Sequence, residues 1–327
     1  LFFEDVEDIE CMIDFDKLKK KNIINTFYDQ SSSGIGDFLR GCCYLYKFFS
    51  QYNINVEIDM TRHSLGKYFE RSCHRVHGKI FDTEQFHKEM CVTSDYIFNM
   101  KQNLVKKLNS HRGENITIFS NYSDFVEMST EQKRKYELTP ECKSFMRYNI
   151  KPTKEVKSYF TKTKRKLKLK DFNIIHFRLG DADILKKESI KLDNDNVNTH
   201  DFDISYQDCM DEILKAYLCG DKKTTILLSD SNGLKEFVQK NIPEMYKDKI
   251  LCLHNNSEHC SDNPGFVENR SINRKEKSNN MFYVALDMHI LTKSSKIDSF
   301  SVYEWGSGFC FWTAKIFDIP IEVHTLT

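Results

Sequence analysis

The chain has 327 residues, of which 40% are hydrophobic and 29% charged, enough for two domains with buried cores. Its 48 lysines and arginines balance 48 aspartates and glutamates, so the formal net charge is zero. That balance argues against a general nucleic-acid or membrane-surface binder, whose affinity rests on excess positive charge, and any anionic ligand has to be held by locally placed charge.

From the start, Leu1 to Asp16 is acidic and mixed, unlike a cleavable leader. Position 1 is not Met, which is compatible with a trimmed leader or anchor, and no apolar run approaches the ~20 residues that cross a bilayer; the expected location is cytoplasmic. Ile23 to Tyr28 reads as a strand, Ser31 to Gly36 as a serine-glycine loop, Asp37 to Ser50 as a helix and Asn55 to Met60 as a second strand. Tyr46, Phe48 and Phe49 are expected to pack that first helix. Tyr96 to Leu108 looks helical, and Asn115 to Ser120 looks like a strand. Thr139-Pro140-Glu141 signals a helix start, with a cap followed by proline in the first turn. The basic stretch Lys151 to Lys170 reads as a solvated helix or linker between domains.

The second half repeats the scheme. Asn173 to Phe177 is a buried strand, Gln207 to Leu218 a helix ended by Gly220, Thr224 to Leu228 a strand and Asn232 to Gln239 a helix. Ile250 to Leu253 is a strand, Met281 to Thr292 a helix, Lys296 to Phe300 a strand and Gly308 to Phe317 a helix, with Pro320 to Val323 as a last edge strand. Two runs of strand-helix alternation imply an α/β protein of two Rossmann-like domains, with parallel sheets facing one cleft. The domains are expected at 1–165 and 166–327. Eleven cysteines, an odd number with no C-x-x-C pair, read as reduced, mostly buried thiols rather than a disulfide or zinc framework.

Ligands in open α/β sheets lie beyond the carboxyl ends of strands, so four loops draw attention. Ser31 to Gly41 (S-S-S-G-I-G-D-F-L-R-G) offers Gly34, Gly36 and a helix start to an anion, without the third glycine of a dinucleotide fingerprint or a Walker lysine. Ile174 to Asp181 (I-I-H-F-R-L-G-D) delivers His176 and Arg178 to one face of a strand end, where an arginine can reach a phosphate with paired donors. Ser229 and Asp230 close another strand; the aspartate fits either a nucleoside contact or a helix cap. In Ser301 to Lys315, Gly306, Ser307 and Gly308 open a helix whose N-terminus can bind phosphate, while Phe309 and Trp312 read as core.

Together, H-F-R-L-G-D and the late S-G-F-C-F-W-T-A resemble the arginine motif and the S-S-F-S-W-W-x-A motif of the GDP-fucose-dependent fucosyltransferases, over roughly Ile23 to Ile321. The resemblance implies a GT-B fold, with an N-terminal acceptor-side domain and a C-terminal donor domain. It implies Arg178 on the β-phosphate, Asp230 on guanine or ribose, and Ser307, Gly308 and Phe309 at the phosphate and base. Leu179, Gly308 and Cys310 depart from the family pattern, which leaves acceptor, linkage and sugar open.

The implied reaction is inverting, metal-independent transfer from a GDP-sugar to a glycan hydroxyl. Arg178 would stabilise the leaving diphosphate, and Asp37, Asp181, Asp183 or Glu304 would serve as base. No cofactor is expected beyond the donor substrate, and the expected partners are a nucleotide sugar and a glycan. Rival readings are a metal-dependent transferase using Asp181-Ala182-Asp183 or Asp201-Phe202-Asp203, and an inactive nucleotide- or glycan-binding module. The missing Walker lysine disfavours a P-loop NTPase.

Overall fold

The computed structural model describes residues 14–27, 34–61, 65–70, 109–110, 112–118, 120, 125, 128–179, 204–253 and 274–326. In chain order the elements are α1 (Phe15–Leu18), β1 (Asn22–Thr26), α2 (Ile35–Ser50), β2 (Asn55–Asp59), β3 (Asn115–Ile118), α3 (Thr130–Arg134), α4 (Pro140–Asn149) and α5 (Lys154–Lys166). They continue as β4 (Phe172–Arg178), α6 (Tyr206–Cys219), β5 (Thr224–Ser229), α7 (Asn232–Asn241), β6 (Ile250–Leu251), α8 (Arg274–Leu291), β7 (Ile297–Ser301), α9 (Gly308–Phe317) and β8 (Ile321–Thr325). The described residues form two compact units, one within Leu1–Met128 and Leu138–Lys151, the other within Ser129–Glu137, Pro152–Ser261 and Asn269–Thr327.

The first unit is a parallel sheet in the order β2-β1-β3. β1 is buried from Ile23 onward, as expected for a parallel strand covered on both faces. Its core joins Leu18, Ile23, Leu45, Phe49, Ile54, Val56, Ile116 and Ile118, with Tyr46 and Phe48 packed at its margin. Tyr46 stacks on Phe145 of α4 at 4.3 Å between ring centroids. α4 starts as its sequence predicts, with the Thr139 hydroxyl accepting the Cys142 N–H and Pro140 in the first turn.

The second unit is a parallel sheet in the order β6-β5-β4-β7-β8. β4 comes first in sequence yet lies in the middle, so the order reverses between β4 and β7, where open α/β sheets form a ligand crevice. On one face Ile175, Phe177, Leu227 and Phe300 pack against Ile213 of α6 and Leu234 and Val238 of α7, with Phe177 and Phe300 stacked at 4.5 Å. α8 packs against α5 and α9. β8 is the edge strand the sequence suggests. A Ser205–Asp208 capping box starts α6, and Gly220 ends it.

The differences from expectation have simple causes. α8 begins at Arg274 rather than Met281, because its first turns are polar and carry no apolar period. α3 has no buried residue and is announced only by its Ser129–Gln132 capping box. β6 is confined to Ile250–Leu251. The helix expected over 96–108 lies outside the described residues. No helix among the described residues is long and apolar enough to cross a membrane.

Candidate functional site

Several charged side chains of the second unit meet at the carboxyl end of β4. Arg178, the last residue of β4, is paired in register with Ser301 at the end of β7, so it stands where the strand order reverses. Its Nη1 pairs with the Asp230 carboxylate, and the Leu179 backbone N–H donates to the other Asp230 oxygen at 2.8 Å. The two side chains are 15% and 10% exposed, so solvent screens the pair weakly. The helix cap that Asp230 could have supplied is made instead by Ser231, whose hydroxyl accepts the Leu234 N–H at 3.1 Å. Ser229 turns the chain there, its Oγ accepting the Ser231 N–H at 3.0 Å.

One residue pair down the strand, His176 is 5% exposed and its Nδ1 lacks a hydrogen-bond partner. Burial pushes this imidazole down to about 4; Arg178 and Lys235 act the same way, while Asp230 and Asp287 oppose them. The ring is therefore neutral at pH 7, with one donor and one acceptor nitrogen. Phe309 in the first turn of α9 lies 6.1 Å from it, centroid to centroid. Two further ionisable groups converge here that the sequence reading missed. Asp287 of α8 is 5% exposed. Lys235 of α7 is 1% exposed, its Nζ lacks a hydrogen-bond partner, and burial lowers its pKa against the pull of Asp287 and Asp230. Asp287 did leave a signal, being the lone carboxylate in V-A-L-D-M-H-I-L.

The neutral His176 makes stability depend on pH. Its folded pKa lies below the ordinary 6.5, so the unfolded chain takes up a proton first as pH falls. Its contribution is complete above about pH 6.5 and is lost as pH drops to about 4, amounting to about 3 kcal/mol at 1.36 kcal/mol per pKa unit. His289 on α8, also pushed down to about 4 by burial, works in the same direction. Urea unfolding at pH 7 and pH 4.5 should show a smaller loss in His176→Gln than in the natural protein; equal losses would contradict the buried neutral ring.

The β7–α9 loop leaves the strand next to β4. Gly306 has φ +86°, a conformation that favours glycine, and a Cβ there would stand 3.1 Å from both Val323 methyls, a tight contact. Ser307, 2% exposed, starts α9 without a side-chain cap, and Gly308 and Phe309 form its first turn. Glu304 is exposed and accepts the Thr130 hydroxyl at 2.6 Å.

In the first unit, Gly34 precedes α2 with φ −75° and open space around it, a conformation any residue adopts. Gly36 is buried within α2, and Asp37 in its first turn pairs with Arg40 at 3.3 Å. Asp181, Asp183, Asp201 and Asp203 lie outside the described residues, as does the serine run before Gly34. Among the described residues one cluster has metal-ligand character, Asp298, Glu322 and His324. There the Lys296 ammonium already stands 3.1 Å from Asp298 and 2.9 Å from Glu322.

Two parallel sheets, one with the Rossmann order reversal and an arginine at that point, define an α/β chain of two Rossmann-like units. No family model and no curated protein matches the sequence. Among solved structures the fold is similar to that of NodZ alpha-1,6-fucosyltransferase in crystals soaked with GDP-fucose, with TM-score 0.51, 13% identity, and 92% of this chain and 94% of that chain covered. The fucosyltransferase NodZ from Bradyrhizobium gives TM-score 0.50, 13% identity, and coverage of 92% of this chain and 95% of that one. An Arabidopsis thaliana FUT1 mutant in complex with GDP gives TM-score 0.50, 11% identity, and coverage of 99% of this chain and 74% of that one. The chain thus has the GT-B-like fold of these fucosyltransferases.

Proposed function

We propose that the chain is an inverting, metal-independent glycosyltransferase that moves fucose from GDP-fucose to a hydroxyl of a glycan. The observation that carries the reading is Arg178 at the order reversal between β4 and β7, braced by Asp230. A guanidinium has five N–H donors in a fixed fork, so the Asp230 carboxylate can orient it while the remaining edge meets a diphosphate. The start of α9 at Ser307, Gly308 and Phe309 adds backbone N–H groups and the positive end of a helix. Neutral His176 and the buried Asp287 carboxylate suit the base: guanine offers adjacent N–H donors to a carboxylate and acceptors to a ring N–H. Fucosyltransferases of the same fold, solved with GDP or GDP-fucose, support this donor.

Charge grows on the diphosphate as the glycosidic bond breaks, so a preorganised cation there acts mostly in the transition state. In this reading residues 1–165 shape most of the acceptor side, and 166–327 hold the donor. Asp37, Asp181, Asp183 and Glu304 are the carboxylates available as base. Release of GDP from GDP-fucose over a panel of glycans, with EDTA present, tests the proposal. Turnover that survives EDTA supports it; turnover only with a divalent ion, or only from a UDP-sugar, would displace it.

A further inference from the structure

The loop that follows β7 carries an aromatic pair, Tyr303 exposed and Trp305 half-buried, that the proposed donor site does not use. Tyr303 is 38% exposed and stacks on Trp305 at 5.3 Å between centroids and 25° between planes. Lys133, just C-terminal to Thr130 on α3, reaches over the Trp305 ring at 5.0 Å. The pair is held in place from several directions. The Tyr303 N–H donates to the Ser301 hydroxyl at 3.2 Å, and the Gly306 N–H donates to the Tyr303 carbonyl at 2.9 Å. Between the two rings in sequence, Glu304 accepts the Thr130 hydroxyl at 2.6 Å. The segment after α3 is fastened to α9 by Lys315, 2.7 Å from Glu137, and by the edge-on packing of Tyr136 against Trp312.

A large exposed aromatic face that is held rigid presents apolar area at little entropic cost and keeps a polar rim. Its ligand should be flat on one face, apolar there, and polar around its edge. Two chemistries fit such a ring, a pyranose and a nucleobase. Position favours the sugar. The Glu304 carboxylate beside the rings accepts hydrogen bonds from hydroxyl groups. The buried polar groups suited to a base, His176 and Asp287, lie instead under the end of β4. Tyr303 stands two residues beyond Ser301, the register partner of Arg178, which puts it next to the expected reacting centre rather than at a remote surface.

We propose that Tyr303, backed by Trp305, is the stacking platform for a pyranose ring of the glycan that receives the transferred sugar, with Glu304 accepting hydrogen bonds from its hydroxyls. This assignment rests on the glycosyl-transfer reading above and names a substrate subsite for it.

The chain has two tryptophans, and Trp312 is 2% exposed, so a Trp312→Phe protein reports on Trp305 alone. Chitotetraose, cellotetraose and maltotetraose are titrated into it while fluorescence is followed, and GDP is titrated separately by calorimetry. At least one sugar should shift the Trp305 emission. Tyr303→Ala in the same background should weaken that sugar about tenfold or more, Tyr303→Phe should restore it, and GDP affinity should be unchanged in both. Overturning results are no response to any of the three sugars, sugar affinity within twofold after Tyr303→Ala, or equal loss of GDP and sugar, which would make the pair a base platform. A protein that binds a sugar through Tyr303 but never binds GDP would retain the subsite while removing the donor reading.

Discussion

Arg178→Ala is expected to lower the rate of glycosyl transfer from GDP-fucose by about 100- to 1000-fold, the usual cost of removing one preorganised electrostatic contact to a developing charge. The side chain is partly buried, ends β4 and is braced by Asp230, so its charge is fixed before the diphosphate arrives and costs no reorganisation as the bond breaks. Because the interaction strengthens as negative charge accumulates, kcat should fall more than KM rises. Arg178→Lys should recover little, since a single ammonium cannot face Asp230 and a phosphate with a planar fork. A rate within fivefold of the natural protein in Arg178→Ala would remove this residue from the reaction.

The second large effect concerns the brace. Asp230→Ala removes the ion-pair partner that Arg178 has in Asp230, at 15% exposure of the arginine, and also the acceptor of the Leu179 N–H. Breaking one side of a buried pair typically costs about 3–5 kcal/mol, because an uncompensated charge is left behind. Equilibrium urea unfolding should therefore show a loss of that order in Asp230→Ala. The double variant Arg178→Ala/Asp230→Ala should be clearly more stable than the sum of the two single losses, since the charge deprived of Asp230 is gone. Additive losses would mean that the two side chains do not depend on one another. The single variant should also lose donor turnover, as the arginine loses the carboxylate that orients its fork.

The alternation of apolar runs and amphipathic helices made the strand-helix order legible, and α9 falls on the residues its sequence marks out, Gly308 to Phe317. Arg178 and His176 were legible for the same reason: an H-x-R ending an apolar strand has few places to point in a parallel sheet. What the sequence hid is pairing across the sheet. Nothing local says that Asp230, fifty-two positions after Arg178, turns back to brace it rather than capping α7. Lys235 looks like an ordinary exposed lysine on an amphipathic helix, and only tertiary packing buries it to 1% exposure. Gly34 has a backbone conformation open to any residue and no atom within 4 Å of a would-be Cβ. At Gly306 it is the positive φ that favours glycine, with Val323 of the neighbouring strand close by.

The role of Arg178 in holding a guanosine diphosphate is tested by calorimetric titration with GDP and UDP, each with and without Mg²⁺, on the natural protein and on Arg178→Ala. GDP should bind without metal, UDP should bind more weakly, and Arg178→Ala should abolish or severely weaken the GDP isotherm. A preference for UDP that appears only with Mg²⁺, or GDP binding untouched by the loss of Arg178, would contradict it.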